Sequence, residues 1–162
     1  MNYIQKWLFL GVFFFLLQGC QKDDICPAGT ATTPLLVIEF YDSQNPGRLK
    51  AVQDLRVQAS GMEEIYFGPE TTNSISIPLR TDQNFTEYTF TYNSGEEDEN
   101  EDVVTFRYSP NPEYINRACG FRINYGNIDV SVQGEDDNWI LSTSILQQNI
   151  ENETEAHISF TH

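Results

Sequence analysis

Thr86-Glu87-Tyr88-Thr89-Phe90-Thr91-Tyr92 and Val103-Val104-Thr105-Phe106-Arg107-Tyr108 are the two stretches whose reading decides the fold. In the first, Tyr88, Phe90 and Tyr92 take alternate positions while Thr89 and Thr91 point the other way. In the second, Val104, Phe106 and Tyr108 do the same. Period-two alternation of aromatic and β-branched residues against polar ones describes a strand with one face buried. Between the two lie Asn93-Ser94-Gly95 and an acidic run, so the pair reads as a hairpin with a long loop.

Working outward, the β pattern continues in both directions. Leu35 to Tyr41 is an apolar run broken only by Glu39, of a length that suits a buried strand. Asp54 to Ala59 places Leu55, Val57 and Ala59 on one face; Ile65-Tyr66-Phe67 and Ser74 to Ile77 are shorter, the second ended by Pro78. After Pro110 and Pro112, the stretch Tyr114 to Tyr125 aligns Phe121, Ile123 and Tyr125. Gly126-Asn127 then reads as a turn into Ile128 to Val132, a second hairpin. Trp139 to Leu146 and Ala156 to Phe160 complete about nine strands, with Gln147 to Glu155 a polar loop or a short helical turn. The expectation is an all-β fold, a single antiparallel β-sandwich of immunoglobulin-like type over residues 34–162, with a small closed barrel as the alternative. Most aromatic side chains fall on the inward period, which assigns them to core rather than to a carbohydrate platform.

The amino terminus has a different character. Lys6 precedes Trp7 to Leu17, an apolar run of roughly 16 Å as a helix, about half a hydrocarbon core. That length suits a secretory signal rather than a membrane span. Leu17-Gln18-Gly19-Cys20 resembles the lipobox of bacterial lipoproteins, a resemblance that implies cleavage before Cys20 and a diacylglycerol on its thiol. The segment Gln21-Lys22-Asp23-Asp24 after it is similar to the export signal of Bacteroidetes-type surface lipoproteins. The expected organisation is therefore a lipoprotein signal peptide over 1–19, a lipidated tether over 20–33 and the β domain over 34–162. The expected location is the outer membrane, facing the exterior, with a periplasm-facing orientation as the alternative. Lipidation of Cys20 leaves Cys26 and Cys119, which in an exported chain are disulfide candidates, against a free Cys119 buried in a strand.

Lys22-Asp23-Asp24-Ile25-Cys26, Thr32-Thr33-Pro34, Ser76-Ile77-Pro78-Leu79, Arg117-Ala118-Cys119-Gly120, Asn138-Trp139-Ile140 and Ala156-His157-Ile158 together resemble a family of uncharacterised Bacteroidetes outer-membrane lipoproteins, a domain of unknown function. The resemblance implies a location and no catalytic residues.

The 162 residues carry a formal net charge of −15, which argues against nucleic acid as a partner, because phosphate binding needs a basic face. No P-loop, CxxC, closely spaced His pair or nucleophile elbow is present, so no catalytic residue, metal ligand or cofactor is assigned. His157 reads as a satisfied or solvated surface residue. Glu96 to Asp102 holds six carboxylates in seven positions but lacks the ligand spacing of a calcium loop, and reads as a solvated, mobile hairpin tip. Glu135-Asp136-Asp137 reads likewise. The favoured function is a non-enzymatic binding or accessory module of the cell envelope, held to the membrane through Cys20, with an envelope protein or polysaccharide as partner. The alternatives are a carboxylate-based hydrolase acting on envelope or extracellular polysaccharide, and a structural component packing against a membrane protein.

Overall fold

The computed structural model describes residues 25–63 and 65–162, and among them no residue is helical. Ten strands follow one another: β1 (Leu36–Asp42), β2 (Asn45–Leu49), β3 (Val52–Ala59), β4 (Ile65–Thr72), β5 (Ser74–Ile77), β6 (Phe85–Tyr92), β7 (Asn100–Asn116), β8 (Gly120–Val132), β9 (Ser142–Ile145) and β10 (Ile158–Thr161). Cys20, Gln21, Lys22, Asp23 and Asp24 lie outside the described residues.

The strands form two sheets. One has the order β2-β1-β10-β9 with β5 also paired to β1; the other has the order β4-β3-β6-β7-β8. The two sheets face each other across a shared core. Phe160 on β10 meets Phe90 on β6 at 5.6 Å and Phe106 on β7 at 6.5 Å, while Phe40 on β1 meets Phe160 at 6.0 Å. The alternation at Tyr88, Phe90, Val104, Phe106 and Tyr108 is buried as its period requires, and Leu55 and Val57 lie beneath it. Each such large side chain contributes about 1.5–3 kcal/mol on burial.

Four expectations are corrected. First, the architecture is mixed, not wholly antiparallel: β1 and β10 run parallel, with Ile38 opposite Ile158 and Phe40 opposite Phe160. These strands are distant in the chain, so no hairpin dictates their sense. The parallel register brings the two apolar sets, all fully buried, onto one face. Second, Pro110 and Pro112 do not end a strand but lie inside β7. β6 pairs with β7 only from Asn100 to Arg107, so beyond that point β7 has a free edge where a missing N–H costs no ladder bond.

Third, Gly126-Asn127 is no hairpin turn, because β8 runs through it. Buried Tyr125 and buried Ile128 are three positions apart, and Asn127 takes φ 54°, so an extra residue is inserted and the inward parity is reset. The segment Gln148 to Ile150 closes the outer edge here: Ile150 N donates to Tyr125 O at 2.7 Å and Ile128 N to Gln148 O at 3.1 Å. Fourth, β9 is shorter than the Trp139–Leu146 run, and β2, wholly exposed, carries no apolar alternation that could announce it.

Two compact units are distinguished. The smaller joins the described residues up to Thr30 with Ile115–Gly120 and holds the Cys26–Cys119 disulfide, Cα–Cα 4.8 Å. Within it Asn116 Oδ1 accepts from the N–H groups of Ala118 (2.9 Å) and Cys119 (2.8 Å), fixing the turn in which Cys119 sits. The larger comprises Ala31–Tyr114 with Phe121–His162.

Candidate functional site

Pro78 ends β5, and the chain must cross to β6 with its carbonyls buried and unpaired by any ladder. Three tyrosines on the second sheet satisfy them in succession. Tyr88 O–H donates to Pro78 O (2.7 Å), Tyr125 O–H to Leu79 O (2.9 Å) and Tyr108 O–H to Arg80 O (2.9 Å). A closed ring of hydrogen bonds completes the clamp. Arg80 N–H donates to Thr86 Oγ1 at 2.9 Å, and Thr86 Oγ1 lies 2.6 Å from the Tyr108 oxygen. Since the Tyr108 proton is committed to Arg80 O, the Thr86 hydroxyl is the donor to Tyr108. Burial raises all three phenols, that of Tyr125 to about 12, so each remains a donor across the physiological range.

The clamp sets one wall of a cleft of about 310 Å3 lined by Ala59, Ser60, Met62, Tyr66, Arg80, Phe85, Thr86, Glu87 and Tyr88. Tyr66 stands edge-on to Tyr88, ring centroids 5.5 Å apart, and is 42% exposed; Phe85 is 40% and Met62 48% exposed. Gly68, at φ 79°, lets β4 bend close to β3 there, since any Cβ would run into the Leu55 carbonyl. The Arg80 guanidinium forks onto Asp82 (3.2 and 3.1 Å), which holds the Asp82 carboxyl below its ordinary range. Glu87 accepts from Thr105 Oγ1 at 3.2 Å. The buried Ser60 Oγ has no hydrogen-bond partner among the described residues. The cleft thus offers exposed rings beside a cation and a carboxylate, which is the chemistry of binding an amphipathic chain.

Residues 54–162 match the model of a family of unknown function, DUF6452. The chain belongs to that family. No curated protein and no solved structure matches it. The DUF6452 match takes in every residue of the cleft and its tyrosine clamp, and leaves β1 and β2 outside its bounds.

Of the residues singled out in the sequence, Cys26 and Cys119 are joined, while Cys20 and Gln21 to Asp24 fall outside the described part of this DUF6452 protein. The acidic run is not a freely solvated tip. Asp98 accepts from Asn93 Nδ2 (2.9 Å), Glu99 from Gly95 N (2.6 Å), and Glu101 from Arg56 (3.0 Å). Asp102 is fully buried in β7, taking the N–H of Ile140 at 2.7 Å and Asn138 Nδ2 at 2.9 Å. Asp102 shares the inward parity of Val104 and Phe106, and that even spacing is the signal in the sequence that could have placed it inside. His157 is buried rather than solvated, its Nδ1 accepting the Val37 N–H at 3.0 Å, and burial pulls its pKa below the ordinary value. Sequence reasoning missed the cleft. Phe85 was detectable, because it shares the outward period of Glu87 and Thr89; Tyr66 was not, because Ile65-Tyr66-Phe67 has no alternation.

Proposed function

We propose that this is a lipid-anchored, surface-facing binding module of the bacterial envelope, without catalysis of its own, whose cleft grips a segment of an envelope or extracellular polymer. The lipobox Leu17-Gln18-Gly19-Cys20 and the Lys22-Asp23-Asp24 signal support the anchor and its outward face. Two facing sheets with a shared core support an immunoglobulin-like sandwich as the scaffold. The observation that carries the binding reading is the pair Tyr66 and Phe85, exposed rings that line the same cleft. A folded domain loses apolar contact by leaving such rings in water, and regains it when a partner covers them. Hydrolysis by paired carboxylates is less well supported, since Glu87 is the one carboxylate lining the cleft among the described residues.

The test places a photoactivatable phenylalanine analogue at Phe85, and as control at Arg48 on exposed β2, and irradiates intact cells. A discrete adduct from position 85 that is absent from position 48, and lost in the Tyr66→Ala background, is the expected result. Equal labelling from both positions, or none from position 85, would reject the cleft as the binding site.

A further inference from the structure

We infer that a second pocket, at the Tyr92 end of β6, binds a single pyranose ring of a glycan. Its volume is about 220 Å3, and its lining is Lys50, Ala51, Gln53, Tyr92, Trp139 and His162. Clefts for drug-sized ligands run to about 300–1,000 Å3, so this one has room for one ring and its substituents. Phe85 and Tyr92 are the two ends of β6, roughly 23 Å apart along the strand, which makes the pocket distinct from the Tyr66–Phe85 cleft. Occupancy of one makes no demand on the other.

Aromatic side chains form one wall. Tyr92 keeps the inward parity of Tyr88 and Phe90, but as the last residue of β6 it is only half-buried where those two are closed over. Trp139 lies beside it, ring centroids 5.9 Å apart and tilted by 36°, and is half-buried too. The indole is held in one pose: its N–H donates to Phe90 O at 3.0 Å, the Phe40 ring packs on it at 6.3 Å, and the His162 ring meets it edge-on at 5.8 Å. Two fixed rings at a shallow angle offer the C–H face of a sugar its apolar contact.

The remaining lining supplies hydrogen bonds. Lys50 Nζ donates to His162 O at 3.0 Å, which uses one of its three N–H groups, and the Gln53 amide offers two donors and an acceptor. Lys50 O can only accept, so His162 Nε2, 3.2 Å away, carries the proton; Nδ1 is left as an acceptor on a ring whose pKa burial lowers. Main-chain bonds pin the lining in place: Lys50 N to Phe40 O, His162 N to Tyr41 O and Asn93 N to Gln53 O, each 3.0 Å. A site already ordered loses little entropy on binding, which a small hydrophilic ring needs. A quaternary ammonium, the other ligand of aromatic pockets, is disfavoured because the Lys50 ammonium repels it. Among the described residues no carboxylate lines the pocket; Asp42 and Asp54 flank it in the chain and lie outside the lining.

The test uses the full chain in polyoxyethylene micelles, whose headgroups carry neither sugar nor ammonium. Saturation-transfer NMR is run with the methyl glycosides of glucose, galactose and mannose, with glucuronate and galacturonate, and with choline. The expected result is transfer to the ring C–H protons of at least one sugar, with affinity lowered about ten-fold by Tyr92→Ala. Lys50→Ala and Gln53→Ala should each weaken it several-fold. Both residues are exposed, so an unchanged urea midpoint in these variants separates lost binding from lost folding. Tyr66→Ala, in the cleft, should leave the transfer unchanged. Binding of a neutral sugar or of a uronate supports the pocket alike, and the preference tells whether the ammonium meets a hydroxyl or a carboxylate. Transfer to no sugar at high millimolar concentration, or to choline alone, would overturn the assignment. So would transfer that survives Tyr92→Ala and is abolished by Tyr66→Ala.

Discussion

Tyr108→Phe removes one oxygen from the centre of the tyrosine clamp and changes little else. That oxygen donates to the Arg80 carbonyl at 2.9 Å and accepts from Thr86 at 2.6 Å, on a side chain only 4% exposed. Each buried hydrogen bond contributes about 0.5–1.5 kcal/mol net, and stranding a buried partner costs about 1–3 kcal/mol. Loss of the hydroxyl leaves the Thr86 proton without its acceptor, so the expected destabilisation is about 1.5–3 kcal/mol. Tyr92→Phe is the control, because Tyr92 is only half-buried at the end of β6 and takes no part in the clamp, and it should fall within about 0.5 kcal/mol of wild type. Urea denaturation followed by fluorescence measures both, with the slope m unchanged if only stability moves. In a double-mutant cycle with Thr86→Val the two changes should be strongly non-additive, since each disrupts the same ring. A Tyr108→Phe effect no larger than that of Tyr92→Phe, or strict additivity with Thr86→Val, would refute the clamp as a coupled unit.

Three further outcomes are expected. Asp102→Ala should destabilise by about 2–4 kcal/mol in the same urea assay, because it strands the buried Ile140 N–H and the Asn138 amide at once; a change below that of a surface control would contradict the buried role. His157 has a folded pKa below its unfolded value near 6.5, so the unfolded chain takes up a proton first as pH falls. Its contribution is complete above that value and declines below it, and stability measured from pH 8 down to 5 should lose part of its acid slope in His157→Gln. Half-buried His162 is shifted in the same direction and leaves a residual slope. Reduction of Cys26–Cys119, which closes a separation of 93 residues, should lower stability by about 4–5 kcal/mol on the chain-entropy account. Unchanged urea midpoints with and without reductant would show that the bond adds nothing.

The strands with one buried face were legible because their sequences alternate, and β3, β6 and the first half of β7 fall where Leu55, Phe90 and Phe106 put them. Long-range choices were not legible. Nothing local in Ile38 and Phe40 says that they pair in parallel with Ile158 and Phe160, because the pairing is between strands more than a hundred residues apart. Gly126-Asn127 has the composition of a hairpin turn, yet it serves as a bulge, since one residue with positive φ suits either use. The acidic run misled for a related reason: charge suggests solvent, and the parity of Asp102 with Val104 had to be weighed against it. The cleft depends on which strand edges meet, so only Phe85, out of phase with its buried neighbours, left a trace in the sequence.

The most direct measurement is the mass of the amino-terminal peptide from protein isolated out of the cell envelope. The expected peptide begins at Cys20 and carries a diacylglycerol on its sulfur with an acyl group on its amine. An unmodified terminus, or one that begins at any other residue, would contradict the lipid anchor and with it the surface module.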